Sequence, residues 1–426
     1  MTKADQILSW WKEASSEFPE KLPVYSVHNQ LLREKQLDQF SAKIKSKTKQ
    51  AKGSFEAIRK EKAEMLNDLT VFFRQTLDYS EEQVQTILSD EMVKSTWTFM
   101  KSAKKFDSTL SYESIFQALR NVWILNGLQL LLGKPVELTS SIFAYSMLYP
   151  YTDNYLDDAT ISTFDKLAFG ERFANRLAGE PEVPQNRQEE KIYEMVELIE
   201  GEWSRELYPD VYQSLLEIHA AQSESVFLLE GVRELSFEKR LEICIHKGGT
   251  SVVADGYLLV GNLTGKQETF LYAYGAYLQL LDDFQDLSGD LKESVLTAFA
   301  FAAKREKLDL ILNRTFHLGQ QVIEQAEKMQ SDQVPVFQSL MQKSIELFLV
   351  EAVQANSRFF SPEYVLAFDR RSPISFDSIE KKTGTFSPYQ NQLFERLIQQ
   401  ALNGEPDEEF PFLQKTYMIS GNLQQG

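Results

Sequence analysis

The sequence predicts an all-α protein, and three observations carry that expectation. Glycine and proline are scarce, 19 and 13 among 426 residues, whereas an all-β chain with many tight turns uses more of both. Apolar residues recur at three- and four-residue steps along most of the chain, the spacing of one helix face. No segment alternates as a half-buried strand does, and there is no fixed-period repeat or low-complexity block.

Residues 1–110 are lysine-rich and polar. Phe55, Ile58, Met65, Leu69, Phe72 and Phe73 mark an amphipathic helix there, and the basic Lys43–Lys62 stretch reads as a solvated helical face. From about residue 112 the chain is more apolar. Tyr112–Leu132 is a helix closed by Gly133 and Pro135. Ser140–Ala159 follows, kinked at Pro150, and then Phe164–Leu177. Gly179–Glu190 has loop composition. Helices are expected over Lys191–Glu206, Pro209–Leu229, Ser236–Ala254, Glu268–Leu287, Lys292–Ala303, Lys307–Met329 and Val334–Asn356. Ser361–Asp377, rich in Pro, Ser and Arg, is expected to be irregular, and Pro388–Leu402 is a last helix. The outcome is one large helical domain over 111–402, with an N-terminal helical extension over 1–110 and a polar tail over 403–426.

Composition narrows the function. With 43% hydrophobic and 25% charged residues the chain can bury a core. A formal charge of -17 repels phosphate backbones, so nucleic acid is not an expected partner. The single cysteine, Cys244, excludes an internal disulfide; with no apolar leader at the start, this predicts a reducing cytoplasm. The longest apolar tracts, Asn121–Gly133 and Leu138–Thr152, are too short for a membrane span and read as core helices. His28, His219, His246 and His317 are scattered without zinc-site spacing. Phosphate loops are also missing: Gln267 follows Gly265-Lys266, Val260 stands where the first glycine of a Walker loop belongs, and Gly248-Gly249 does not extend to GxGxxG.

Chemistry concentrates in two acidic clusters. Fifteen uncharged residues, Leu138–Thr152, lead into Asp153-Asn154-Tyr155-Leu156-Asp157-Asp158. Asp153 and Asp157 are i, i+4, one helix face at a rise of about 6 Å. A second uncharged run, Thr269–Leu281, leads into Asp282-Asp283-Phe284-Gln285-Asp286, with Asp290 beyond. Asp282, Asp286 and Asp290 form one stripe, interrupted by Gly289. Side-by-side like charges destabilise a helix, and a cation between them reverses that penalty. Carboxylates without histidine or cysteine suit a hard ion such as Mg²⁺, which takes one or two carboxylates, water and phosphate oxygens.

The tract Gly275–Asp286 resembles the second aspartate motif, FQxxDDxxD, of trans-prenyl diphosphate synthases, with Gln279, Asp282, Asp283 and Asp286 in register and Leu278 where the family has an aromatic. Asp153-Asn154 through Asp157 is similar to the DNxxD first motif of bacterial large-terpene synthases, and Asp153 through Asp158 also fits the DxxxDD spacing of squalene and phytoene synthases. The resemblance, over about residues 115–320, is to class I isoprenoid synthases. It implies a large α-helical bundle with a central active-site cavity, and about three Mg²⁺ ions that neutralise a prenyl diphosphate leaving group. Asp153, Asp157, Asp282 and Asp286 are the implied principal ligands, and Asp158, Asp283 and Asp290 the secondary ones. Related folds often dimerise, which leaves a homodimer open.

A diphosphate also requires cations. Arg240 and Lys247, two helical turns apart, precede the second cluster, and Arg240 with Gly248-Gly249 is similar to a helix break carrying a diphosphate-sensing arginine in terpene cyclases. Arg370-Arg371, some eighty residues after the cluster, and Arg120, in an apolar helix before the first cluster, complete the expected set, with Arg172 and Arg176 as weaker members. Elongating synthases carry an arginine-rich segment after the first motif, and Ala159–Thr163 lacks one. The expectation is therefore a single-substrate terpene synthase. The alternatives are a prenyltransferase joining two prenyl diphosphates and a non-catalytic helical protein whose acids bind metal or a partner.

Overall fold

The computed structural model describes residues 2–48, 55–157, 161–329 and 331–382. Among them are seventeen α-helices and no strand. In chain order these are α1 (Lys3–Glu13), α2 (Val27–Thr48), α3 (Phe55–Val71), α4 (Glu81–Ile87), α5 (Asp90–Phe106) and α6 (Tyr112–Leu131). Then come α7 (Ser140–Asp157), α8 (Thr163–Ala178), α9 (Arg187–Glu202), α10 (Pro209–Ser225), α11 (Phe237–Val260) and α12 (Gly265–Gln285). The last are α13 (Leu287–Lys292), α14 (Ala298–Ala303), α15 (Asp309–Glu324), α16 (Val334–Ala355) and α17 (Pro362–Asp369). The helix expected at 388–402 and the tail at 403–426 lie outside the described residues. No helix of the described residues is long and apolar enough to cross a membrane.

The chain forms two compact units. The first comprises Met1–Glu34, Leu131–Gly133 and Tyr208–Ile379, and the second Lys35–Leu130, Lys134–Leu207 and Glu380–Gly426. The boundary expected near residue 110 falls inside the second unit. Residues 2–34 belong with α10–α17, because polar groups of α15 hold them. Trp11 Nε1 donates to Thr315 Oγ1 at 3.0 Å, Asn313 Nδ2 to the Ser16 carbonyl at 2.8 Å, and Arg314 Nη1 to the carbonyls of Lys12 and Ala14.

In the second unit α7 packs on α9, burying Ile142, Phe143 and Met147. Its first turn is fixed from α9, where Glu202 Oε2 accepts from the Ser141 amide at 2.7 Å, and from the preceding residue, where Thr139 Oγ1 accepts from the Ile142 amide. A carboxylate there satisfies amides that have no partner within the helix. Pro150 lies inside α7, which continues through it to Asp157. The helix α8 starts at the Ser162 cap and ends at Gly179, whose φ of 90° is the left-handed C-terminal conformation glycine tolerates best. Lys43 in the basic stretch pairs with Asp68 at 2.9 Å, joining α2 to α3.

In the first unit α11 and α12 form an antiparallel hairpin. Ser236 caps α11, and Thr264 with Gln267 forms a capping box at the start of α12. A Cβ on Gly248 would stand 2.4 Å from both the Gln279 Cβ and the Gly275 carbonyl oxygen, so only glycine lets the two backbones approach this closely. The break expected at Gly248-Gly249 is absent: α11 runs unbroken, and the glycines serve close packing. The Ser361–Asp377 stretch, expected to be irregular, contains α17. Ser361 caps it and Pro362 occupies its first turn, where the missing N–H costs nothing.

Candidate acidic site at the end of α12

The uncharged run of α12 is largely buried, and the acids begin where it reaches solvent. The helix ends at Gln285. Asp286 is at once its C-cap and the N-cap of α13, which carries Asp290. The turn is preserved across the junction, since the Asp286 amide donates to the Asp282 carbonyl and the Asp290 amide to the Asp286 carbonyl, both at 2.9 Å. Phe284 pins the segment from inside, buried and stacked on Phe299 with centroids 3.9 Å apart. Asp283 is 4% exposed, Asp282 and Asp290 are half-buried, and Asp286 is exposed.

Asp283 points into the α11–α12 interface. Its Oδ1 accepts from Gln279 Nε2 at 2.8 Å, the Cys244 thiol lies beside it, and Oδ2 is buried without a hydrogen-bond partner among the described residues. Burial pushes the carboxyl up to about 6, and Asp282 adds to the rise; Cys244, Gln279 and Lys247 oppose it. Burial and Asp283, with Asp286 and Asp282 beyond, push Asp290 up to about 7, against one hydrogen bond from Thr297 Oγ1 at 3.3 Å. The Cys244 thiol is itself pushed up by burial and by Asp283. Asp282, Asp283 and Asp290 thus lie close enough together that Asp282 raises the carboxyl of Asp283 and both raise that of Asp290. Lys247 acts on Asp283 from α11 and forms no ion pair with a described residue.

Sequence reasoning missed the group that holds this end. Asn356, just beyond α16 and 1% exposed, donates through Nδ2 to the carbonyls of Phe284 at 2.8 Å and Gln285 at 3.2 Å. Its Oδ1 accepts from Ser288 Oγ at 2.6 Å. Two residues on, Arg358 is exposed, lies over the Phe359 ring and reaches Ser288 Oγ with Nη2 at 3.5 Å. The only sequence signal was that Asn356 ends a helical pattern.

Several expected cations are engaged elsewhere. Arg240 is 4% exposed; its Nη1 donates to the Leu296 carbonyl at 2.6 Å, its Nε to the Leu235 carbonyl, and it lies 4.8 Å from the Phe301 ring centroid. It is a brace between α11 and the segment before α14. Arg371 pairs with Glu20 at 3.0 Å, donates to the Ala367 carbonyl and covers Phe18, so it secures the N-terminal segment. Arg370 is exposed, and its carbonyl accepts from the Tyr25 amide at 2.8 Å. Arg172 and Arg176 pair with Glu189 and Glu200 on α9 at 2.5 and 2.6 Å. Arg120 is exposed on α6 and forms no ion pair with a described residue. Asp153 and Asp157 stand on the last turns of α7, but their side chains, and all of Asp158, lie outside the described residues.

Among the described residues no three His, Cys, Asp or Glu side chains group to hold a metal ion. The α12 end nonetheless fits Mg²⁺ in donor chemistry: it offers only carboxylates, one oxygen of Asp283 lacks a partner, and Mg²⁺ needs only one or two protein carboxylates beside water and phosphate. A cavity of about 20 Å³ among Lys21, Tyr277, Phe316, Gln320 and Glu346 contains none of the aspartates. It has room for a water rather than a substrate. Comparison with protein-family models, with curated proteins and with solved structures finds no match for the chain.

Proposed function

We propose that the protein is a Mg²⁺-dependent class I terpene synthase that ionises one linear prenyl diphosphate and releases a terpene hydrocarbon and inorganic diphosphate. The observation that carries this reading is the raised pair Asp283 and Asp290 beside Asp282 at the end of α12, whose repulsion a bound cation and its anionic substrate would relieve together. Asp282 and Asp286, the more accessible members, would supply the one or two carboxylates the ion needs beside water and phosphate oxygens. When bound, Mg²⁺ supplies the charge that makes a diphosphate a competent leaving group. Gln279 holds Asp283 from inside, in the α11–α12 interface, behind the more accessible acids. Lys247 and Arg358 are the cations beside the acidic end that would contact the diphosphate oxygens. The sequence expectation of Asp153 and Asp157 as metal ligands stands as a separate proposal on the second unit.

Arg172 and Arg176 bear on the alternative in which two prenyl diphosphates are joined. Both are engaged with α9 carboxylates, which leaves the segment after the first cluster without a ready basic site for a second substrate. The test is a panel of prenyl diphosphates offered with and without Mg²⁺, with diphosphate release measured and products identified by gas chromatography–mass spectrometry. One allylic substrate consumed alone, EDTA-sensitive and lost in Asp282→Ala and Asp286→Ala, supports the synthase. The two substitutions should each remove several kcal/mol of transition-state stabilisation, of the order expected when metal assistance to a leaving group is lost. Labelled isopentenyl diphosphate appearing in a longer chain would replace this reading with elongation. Inactivity with every substrate would leave a non-catalytic metal-binding protein.

A further inference from the structure

We infer that the segment between α10 and α11, with the cations beside it, is a docking surface for an anionic lipid bilayer, which Val226, Phe227, Leu229 and Val232 enter. These four large apolar residues fall within seven positions and are 51%, 38%, 38% and 51% exposed. Singly exposed apolar residues are ordinary on a protein surface, whereas a cluster of them marks a contact surface. Backbone bonds keep the segment from folding them inward. Leu229 pairs with Val295 in an antiparallel bridge, the Glu230 amide donates to the Ser294 carbonyl at 2.8 Å, and the Leu296 amide donates to the Leu228 carbonyl at 2.7 Å. Leu228, 4% exposed, anchors the segment from inside. Gly231 turns it with a left-handed φ of 84°, and nothing lies within 4 Å of where a Cβ would stand. The amides of Leu229, Glu230 and Val232 are all bonded within the first unit, which leaves little backbone for an added strand.

Charge selects the partner. The whole chain carries -17, which an anionic bilayer repels, yet at this segment Arg233, Arg240, Lys304 and Arg305 stand against Glu230 and Glu234. Lys304 reaches the segment through Glu230 at 2.8 Å and so occupies one of its two acids. Arg233 lies over the Phe227 ring, 5.7 Å from its centroid, and forms no ion pair with a described residue. Arg305 is exposed, lies 3.6 Å from the Phe301 centroid, donates to the Phe301 carbonyl at 2.8 Å and likewise forms no ion pair with a described residue. Behind them Arg240 has only carbonyls as hydrogen-bond partners, and burial and then the charge of Arg305 push its guanidinium down. Positive charge is therefore left over beside exposed apolar side chains. That combination matches a bilayer, where apolar groups enter the boundary below the headgroups while long cationic side chains stay level with the phosphates. Neither signal alone holds a protein firmly to lipid, and here both are present in one segment.

The experiment measures the partition of the full-length protein onto sucrose-loaded vesicles by co-sedimentation, with a thermal melt and light scattering on each variant. The vesicles are phosphatidylcholine alone or an equal mixture of phosphatidylcholine and phosphatidylglycerol. Wild type should bind the mixed vesicles, bind phosphatidylcholine more weakly, and be released by high salt. Val226→Ser/Phe227→Ser should weaken binding to the mixed vesicles by about 10-fold or more, the effect of withdrawing a large apolar side chain from an apolar phase. Arg233→Gln/Arg305→Gln should weaken it by about 10-fold and leave binding to phosphatidylcholine alone unchanged. Leu366→Ser removes a singly exposed leucine of α17 and should bind as wild type does. If Val226→Ser/Phe227→Ser does not fold, Val232→Ser decides. Failure of wild type to bind the mixed vesicles, or wild-type binding by the folded apolar variant, overturns the inference. A dimer that the apolar substitutions split also overturns it, because a second copy would then be the occupant.

Discussion

Glu189 in the second unit and Asp283 in the first are both buried carboxylates, at 0% and 4% exposure. Glu189 receives the Nε and Nη2 of Arg172 at 3.1 and 2.5 Å, together with the Gln185 amide at 3.0 Å and Asn186 Nδ2 at 3.4 Å. Nearby, Glu200 receives both Arg176 and Arg205 and its carboxyl is lowered despite burial. Asp283 has one amide donor among the described residues, an orphaned oxygen, and a raised carboxyl. Asp255, 1% exposed on α11, forms no hydrogen bond through Oδ1 and is raised well above the usual carboxylate range by burial alone. The same side-chain chemistry is thus neutralised internally at Glu189 and Glu200 and left under-compensated at Asp283 and Asp255. Acids with internal cations hold α8 and α9 together; acids without them destabilise the fold unless something outside the chain relieves them.

The largest effect should come from breaking a satisfied pair. Arg172→Ala leaves Glu189 buried and uncompensated, and denaturant unfolding should show a loss of about 3–5 kcal/mol, the range for removing one partner of a buried pair. A loss below about 1 kcal/mol, the level of an exposed pair, would erase the contrast between the units.

In the first unit the sign should reverse. Asp255→Asn removes a carboxyl whose folded-state ionisation is disfavoured. Because the folded value is raised above the unfolded one, near 4, wild-type stability is complete below about pH 4 and is lost as pH rises toward the folded value. The variant should be flatter with pH and, near pH 8, more stable by about 1–3 kcal/mol, the scale of an unsatisfied buried group. Equal pH dependence in wild type and variant would show that Asp255 has a partner in solution.

The smallest effect is expected at the surface. Lys304 and Glu230 pair at 2.8 Å but remain 37% and 51% exposed, so Lys304→Ala should change stability by less than about 1 kcal/mol. A larger change would mean that exposure is a poor guide to which charges matter in this protein.

The apolar runs made α7 and α12 legible from sequence, and the spacing of Asp282, Asp286 and Asp290 survives the α12–α13 junction as helical hydrogen bonds. Burial was not legible. Asp282 and Asp283 are adjacent letters, yet only Asp283 turns toward Cys244, because the Gly248–Gly275 approach fixes which face of α12 meets α11. Arg240 read as a free cation because its partners, the Leu296 carbonyl and Phe301, lie some sixty residues away. Asn356 read as the end of a pattern, since nothing local shows that its amide reaches Phe284. Ser361-Pro362 was legible and overlooked: a capping serine followed by a first-turn proline is a helix start.

The proposed function requires the acids at the end of α12 to take up a cation and an anionic ligand. The most direct measurement is the melting temperature of the whole protein with Mg²⁺ and inorganic diphosphate, alone and together, in wild type, Asp282→Asn/Asp286→Asn and Glu189→Gln. The account predicts a rise in wild type that is largest with both ligands, a comparable rise in the folded Glu189→Gln protein despite its lower starting point, and none in the double aspartate variant. A wild-type melting temperature unmoved by Mg²⁺ and diphosphate, or an equal rise in the double variant, would contradict it.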